Sequence, residues 1–170
     1  MKNCKHKIII VFLAALLLAG AVWGYFYFRD RDRRLLRALT DELETIVAKR
    51  PGKSNALALL DAATPERVFA SKVEIASDSP RLKRIFSLKE LSQILITMKK
   101  SCSSAALDID ISEITIDADR LSATVTGTAV FSGNTGKGDI REVRDAVLNC
   151  SKIDGRWKIC KLTVTPVIKR

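Results

Sequence analysis

The spacing of apolar positions along this chain changes character three times. From Ile8 to Phe28 no residue is charged, a run of 21 positions with Lys2, Lys5 and Lys7 before it and Arg29, Arg31, Arg33 and Arg34 after it. As a helix rising about 1.5 Å per residue, such a run matches a hydrocarbon core of about 30 Å. Trp23, Tyr25 and Tyr27 stand at its outer end, where amphipathic rings favour the headgroup layer. A helical period follows. Leu35, Leu36, Leu39, Leu43, Ile46 and Val47 recur on one face, and Pro51-Gly52 ends the pattern. The spacing then predicts a short helix over Asn55 to Ala63, a third helix initiated by Thr64-Pro65-Glu66, and a short strand through Val68, Val73 and Ile75 that stops at Asp78-Ser79-Pro80. Ser87 and Glu90 have the spacing of a capping box, and Leu88, Leu91, Ile94, Leu95 and Met98 line one helix face down to Lys99-Lys100.

After Ser101 the period becomes 2 and stays so. Leu107, Ile109 and Ile111 alternate, then Ile114 and Ile116 continue in the opposite phase, which predicts a bulge at Ser112-Glu113. Leu121 to Phe131 form a second long strand after a turn at Asp117 to Arg120. Val143 and Val147 mark the third, and Trp157 to Ile168 the fourth, joined to it by a hairpin at Asp154-Gly155. A second change of phase, at Cys160-Lys161, predicts a second bulge. The expected fold is therefore α+β: an N-terminal transmembrane helix, then a cone-shaped domain of helices packed on a curved antiparallel sheet of four long strands plus a short one. The segments are a basic tail (1–7), the anchor (8–28), a juxtamembrane helix and linker (29–53) and the domain (54–170).

Two stretches resemble a known family. They are the helix beginning Phe86-Ser87-Leu88-Lys89-Glu90-Leu91 after a short strand, and the terminal hairpin from Val147 to Ile159, with Lys152, Asp154-Gly155, Arg156, Trp157 and Ile159. This hairpin is similar to the last one of nuclear transport factor 2-like (SnoaL-like, cystatin-like cone) domains, and the resemblance covers Ser54 to Arg170. The resemblance implies the cone fold and says little about activity, because isomerases, dehydratases, binding modules and scaffolds all use it. In layout the chain is also similar to membrane-anchored cone-domain components of type IV secretion systems.

Charge and candidate chemistry narrow the function classes. The net charge is +10, and the basic residues of the domain scatter over every segment instead of forming a stripe with aromatics. An anionic bilayer beside the domain accounts for such an excess, and no nucleic-acid partner is expected. Cone-fold enzymes are expected to pair an Asp base with a Tyr or His. Here the one histidine is His6, and both tyrosines, Tyr25 and Tyr27, lie in the apolar run. The domain thus has neither imidazole nor phenol for acid–base work. No catalytic residue, metal site or cofactor is assigned. Asp108 with Asp110, and Asp117 with Asp119, read as a wet strand face and a polar turn. Gly52-Lys53-Ser54 lacks the earlier glycine of a phosphate loop. Cys150 faces Ile159 and Cys160 faces Asn149 across a two-residue turn, so the sulfurs point to opposite faces, and a disulfide would need a shifted register or a bulge.

These readings lead to a membrane-anchored, non-catalytic interaction or assembly module whose partners are the lipid bilayer and a second copy or other membrane-complex components. The alternatives are a binding domain for a small apolar ligand, with Leu107, Val125, Phe131, Leu148 and Trp157 lining the cone interior, and a carboxylate-dependent isomerase- or dehydratase-like enzyme. The signal-like N-terminus favours a single-pass protein of the cytoplasmic (inner) membrane with the domain on its outer, periplasmic side. A cleaved signal peptide, with Ala19-Gly20-Ala21 as the cut site, is the competing reading of the same run.

Overall fold

The computed structural model describes Gly20, 30–49, 64–77, 83–136 and 138–167. The expected anchor, Gly20 excepted, the expected helix Asn55 to Ala63 and the stop at Asp78-Ser79-Pro80 lie outside the described residues. Among the described residues no helix is long and apolar enough to cross a membrane. The chain divides into two compact units, Met1–Leu35 and Leu36–Arg170. The first contributes only Gly20 and 30–35 to the described residues, all of them helical.

The second unit begins at Leu36. Its first element, α1 (36–47), buries Leu36, Leu39, Leu43, Ile46 and Val47 in the main apolar core. That is the helical stripe seen in the sequence, and it serves the domain itself. Lys49 then leaves the helix and bridges to Ala105, with the Lys49 N–H donating to the Ala105 carbonyl at 2.7 Å and the Ala105 N–H returning at 3.0 Å.

The third expected helix is a single 3₁₀ turn, Pro65–Arg67. Thr64 makes no side-chain cap there, and the chain passes at once into β1 (Phe69–Ser77). β2 (Arg84–Ser87) follows, then α2 (Leu88–Ser101), whose capping box forms as expected: the Glu90 N–H donates to Ser87 Oγ at 3.3 Å and the Ser87 N–H to Glu90 Oε2 at 2.8 Å. Two positions of α2 depart from expectation. Ile94 is 49% exposed, whereas Lys99 is 1% exposed in spite of its charge. The helix end is held by Lys49, whose Nζ donates to the Lys99 and Cys102 carbonyls at 2.6 Å each.

β3 (Ser104–Ile116), β4 (Ser122–Asn134), β5 (Asp139–Ile153) and β6 (Arg156–Pro166) are the four long strands. The sheet has six strands in the order β2-β1-β6-β5-β4-β3. It is mixed, not wholly antiparallel, because β1 runs parallel to β6. That pairing joins strands far apart in sequence, so it leaves no local trace to read. Both bulges occur where the phase changes, between Ile111 and Glu113 on β3 and opposite Asn149 and Cys150 on β6. They add local twist and bend the sheet.

Candidate functional site

The registers arrange the inner face of the sheet in rows. Leu107, Phe131 and Glu142 form one row; Ile109, Ala129 and Arg144 the next; Ile111, Gly127, Ala146 and Val164 a third. Ile114, Val125, Leu148 and Leu162 follow, and Ile116, Ala123, Cys150 and Ile159 make the last. The expected lining residues therefore separate. Val125, Leu148 and Trp157 are buried in the same cluster as the α1 stripe, whereas Leu107 and Phe131 are partly buried at its margin, three rows from Val125 and Leu148. The last three rows hold only glycine and apolar residues, and Lys152 Nζ lies 4.8 Å from the Trp157 ring centre.

An enzyme of the carboxylate type needs an acid turned into this face and shielded from water. Glu142 is the inner-face carboxylate of β5, but its side chain is 56% exposed and stands 3.6 Å from the Arg144 guanidinium. The other candidates are engaged elsewhere. Asp108 and Asp110 pair in register with Val130 and Thr128, so they share the outer face and are exposed. Asp119 Oδ1 accepts the Leu121 and Ser122 N–H groups at 2.8 and 3.3 Å, which closes the turn before β4. Among the described residues no group of three or more His, Cys, Asp or Glu side chains could hold a metal ion.

Cys150 and Cys160 are free thiols. The bulge adds Cys160 to β6, so Asn149 pairs with Lys161 and not, as expected, with Cys160, while Cys150 faces Ile159. Burial pushes the Cys150 thiol up to about 12, and the neighbouring Cys160 adds to the rise.

A groove that the sequence reading missed lies between β2 and α2. It measures about 540 Å³ and is lined by Arg84, Phe86, Glu90, Gln93, Ile94, Thr97 and Met98. Arg84 stacks over the Phe86 ring at 4.9 Å and its Nη2 meets Glu90 Oε1 at 3.0 Å. The Ser87 main-chain N–H, then its hydroxyl, hold the Glu90 carboxyl below its ordinary range. On the opposite face, the Lys161 ammonium at 2.9 Å does the same for Glu74, which pairs in register with Ile85 and also meets Lys83 at 3.4 Å. The available signal was Ile94 itself, which continues the apolar stripe of α2 at its edge and so widens it beyond what the core can cover.

Solved structures share this fold. A protein of Kribbella flavida superposes with a TM-score of 0.68 at 15% identity, over 84% of this chain and 95% of that one. An NTF2-like protein with a cystatin-like fold from Novosphingobium aromaticivorans gives 0.62 at 10% identity, over 82% and 84% of the two chains. The fold is the cystatin-like one. A candidate scytalone dehydratase from the same organism matches this cystatin-like domain equally well, with a TM-score of 0.62 at 13% identity over 82% and 87% of the chains. No protein-family model and no curated protein matches the sequence.

Proposed function

We propose that this chain is a membrane-tethered, non-catalytic cystatin-like domain that acts as an interaction or assembly module. The observation that carries this reading is the content of the cone. Leu36, Leu39, Leu43, Ile46 and Val47 of α1 share one buried cluster with Val125, Leu148 and Trp157 of the sheet. The centre of the sheet's inner face is apolar, and its one carboxylate among the described residues, Glu142, lies at the margin. The dehydratase-like alternative would need a buried carboxylate or imidazole, yet Glu142 is solvated at the rim and His6 belongs to the N-terminal tail. The tether is Ile8 to Phe28, and the signal-like N-terminus, not the count of flanking Lys and Arg, supports the domain on the outer side of the cytoplasmic membrane.

The test is affinity capture of the full chain from detergent-solubilised membranes, followed by mass spectrometry. Partner proteins, or a second copy of the chain, are expected in the eluate. Recovery of the chain alone with a bound lipid would sink the module reading in favour of the small-ligand one. Release of the chain from membranes by alkaline carbonate would sink the tether.

A further inference from the structure

The two edges of the sheet are unlike. The β3 edge is closed at two points, by the Lys49–Ala105 bridge and by Glu44, whose Oε1 accepts the Ile109 N–H at 2.8 Å. At the opposite edge no strand lies outside β2 among the described residues. The Ser87 N–H is taken by Glu90 and not by the β1 ladder, so alternation along β2 turns the main-chain groups of Ile85 outward. An apolar residue flanks each side of this edge: Ile94 in the groove, and Ile85, 61% exposed, on the other face.

The charge around the edge is one-sided. Lys72, Lys83, Arg84 and Lys89 are all exposed there. Glu74 balances Lys161 and Lys83, and Glu90 balances Arg84, so Lys72 and Lys89 are the cations of this edge with no acidic partner among the described residues. What fits is a chain that brings main-chain donors and acceptors for Ile85, an apolar side chain for the groove, and carboxylates for the cations. A bilayer surface supplies no amide groups to pair with a strand edge.

We infer that the β2 edge and its groove receive an extended acidic–apolar peptide segment of a partner protein, added as a further strand. This inference rests on the module reading and narrows it to one mode of recognition. An apolar side chain of the added strand fills the space between Phe86, Ile94 and Met98, and its acidic neighbours face the cations.

The probe is a fluorescein-labelled peptide of alternating glutamate and valine with one central phenylalanine, titrated by anisotropy against the full chain in detergent micelles. Saturable binding is expected. Methylating alternate main-chain nitrogens of the probe should weaken it by about tenfold or more, since each methyl removes a ladder donor. Ile94→Glu should weaken it as much, and Val143→Glu, on the outer face of β5, should leave it unchanged. Undiminished binding of the methylated probe, full binding by an Ile94→Glu chain with a native melting curve, or no saturation by about 1 mM would overturn the inference. Displacement by phosphatidylglycerol-doped micelles but not by unlabelled peptide would overturn it too, and assign the patch to lipid. Partner capture from membranes by Ile94→Glu chains at the wild-type level would defeat this inference alone. Probe binding by a chain that captures nothing from membranes would spare it and defeat the assembly reading.

Discussion

Glu44 of α1 accepts the main-chain N–H of Ile109 on β3 at 2.8 Å, across a sequence distance of 65 residues. One helix thus fills the inner face of the sheet with its apolar stripe and also closes part of the β3 edge with a carboxylate. Glu44→Ala should remove about 1–3 kcal/mol of stability, the ordinary effect of leaving a partly buried donor unpaired. Hydrogen exchange locates the effect: the Ile109 amide should lose protection before amides of β5, and equal loss everywhere would contradict the proposed local role.

Leu148 distinguishes a filled cone from an open one. It is 1% exposed, in register between Val125 and Leu162. Leu148→Ala should cost about 2–5 kcal/mol in denaturant unfolding, the usual range for truncation in a packed core. A cost below about 1 kcal/mol would indicate a side chain that borders empty space.

Gly127 lies beside the first bulge. A Cβ there would meet the Asp110 carbonyl oxygen, and the Ile111 Cα at 3.1 Å. Both are backbone atoms and cannot turn aside. Gly127→Ala should destabilise the domain by about 1–3 kcal/mol, and a chain with unchanged melting would show that the bulge shifts freely.

The cysteines should react in a fixed order. Cys160 is half-buried, whereas Cys102 and Cys150 are buried. Near pH 8, with peptide mapping by mass spectrometry, alkylation should reach Cys160 well before either of the others. Cys150 should react only as fast as the domain unfolds. Its raised value has a second consequence. Below the ordinary 9.0 both folded and unfolded thiols are neutral; above it the unfolded thiol ionises first, so stability should fall between 9.0 and about 12. Cys150→Ala should flatten that alkaline limb.

Glu90 acts in the opposite direction. Its folded value is lowered by the Ser87 N–H, so its contribution is present above 4.5 and is lost as pH falls through the lowered folded value. Glu90→Gln should lower the melting temperature at pH 7 and make it less sensitive to acid. Parallel acid limbs for the two proteins would contradict the capping role.

What could be read from the residues was local. The bulges at Ser112 and Cys160 appear as slips of phase, and the Ser87–Glu90 box and the Asp154-Gly155 hairpin have short-range signatures. The parallel pairing of β1 with β6 has none, because the partners meet only in the folded chain. The stripe of α1 revealed that one face must be buried, but not that the sheet's inner face would receive it. Lys99 was misleading for a related reason: a long stem can take an ammonium into the interior when the fold supplies a partner. The expected lining set divided because alternation assigns a face and not a depth. Leu107 and Leu148 share a face, and rows at the margin and in the core read alike.

The unlike edges of the sheet also limit how such domains can associate with one another. Growth of an extended sheet by lateral stacking of copies requires two open sides on every unit. Here Glu44 and Lys49 obstruct the β3 side, so addition at β2 ends the series after a single step. A dense population of these domains would therefore resist fibre formation, even with a strand edge left available for binding.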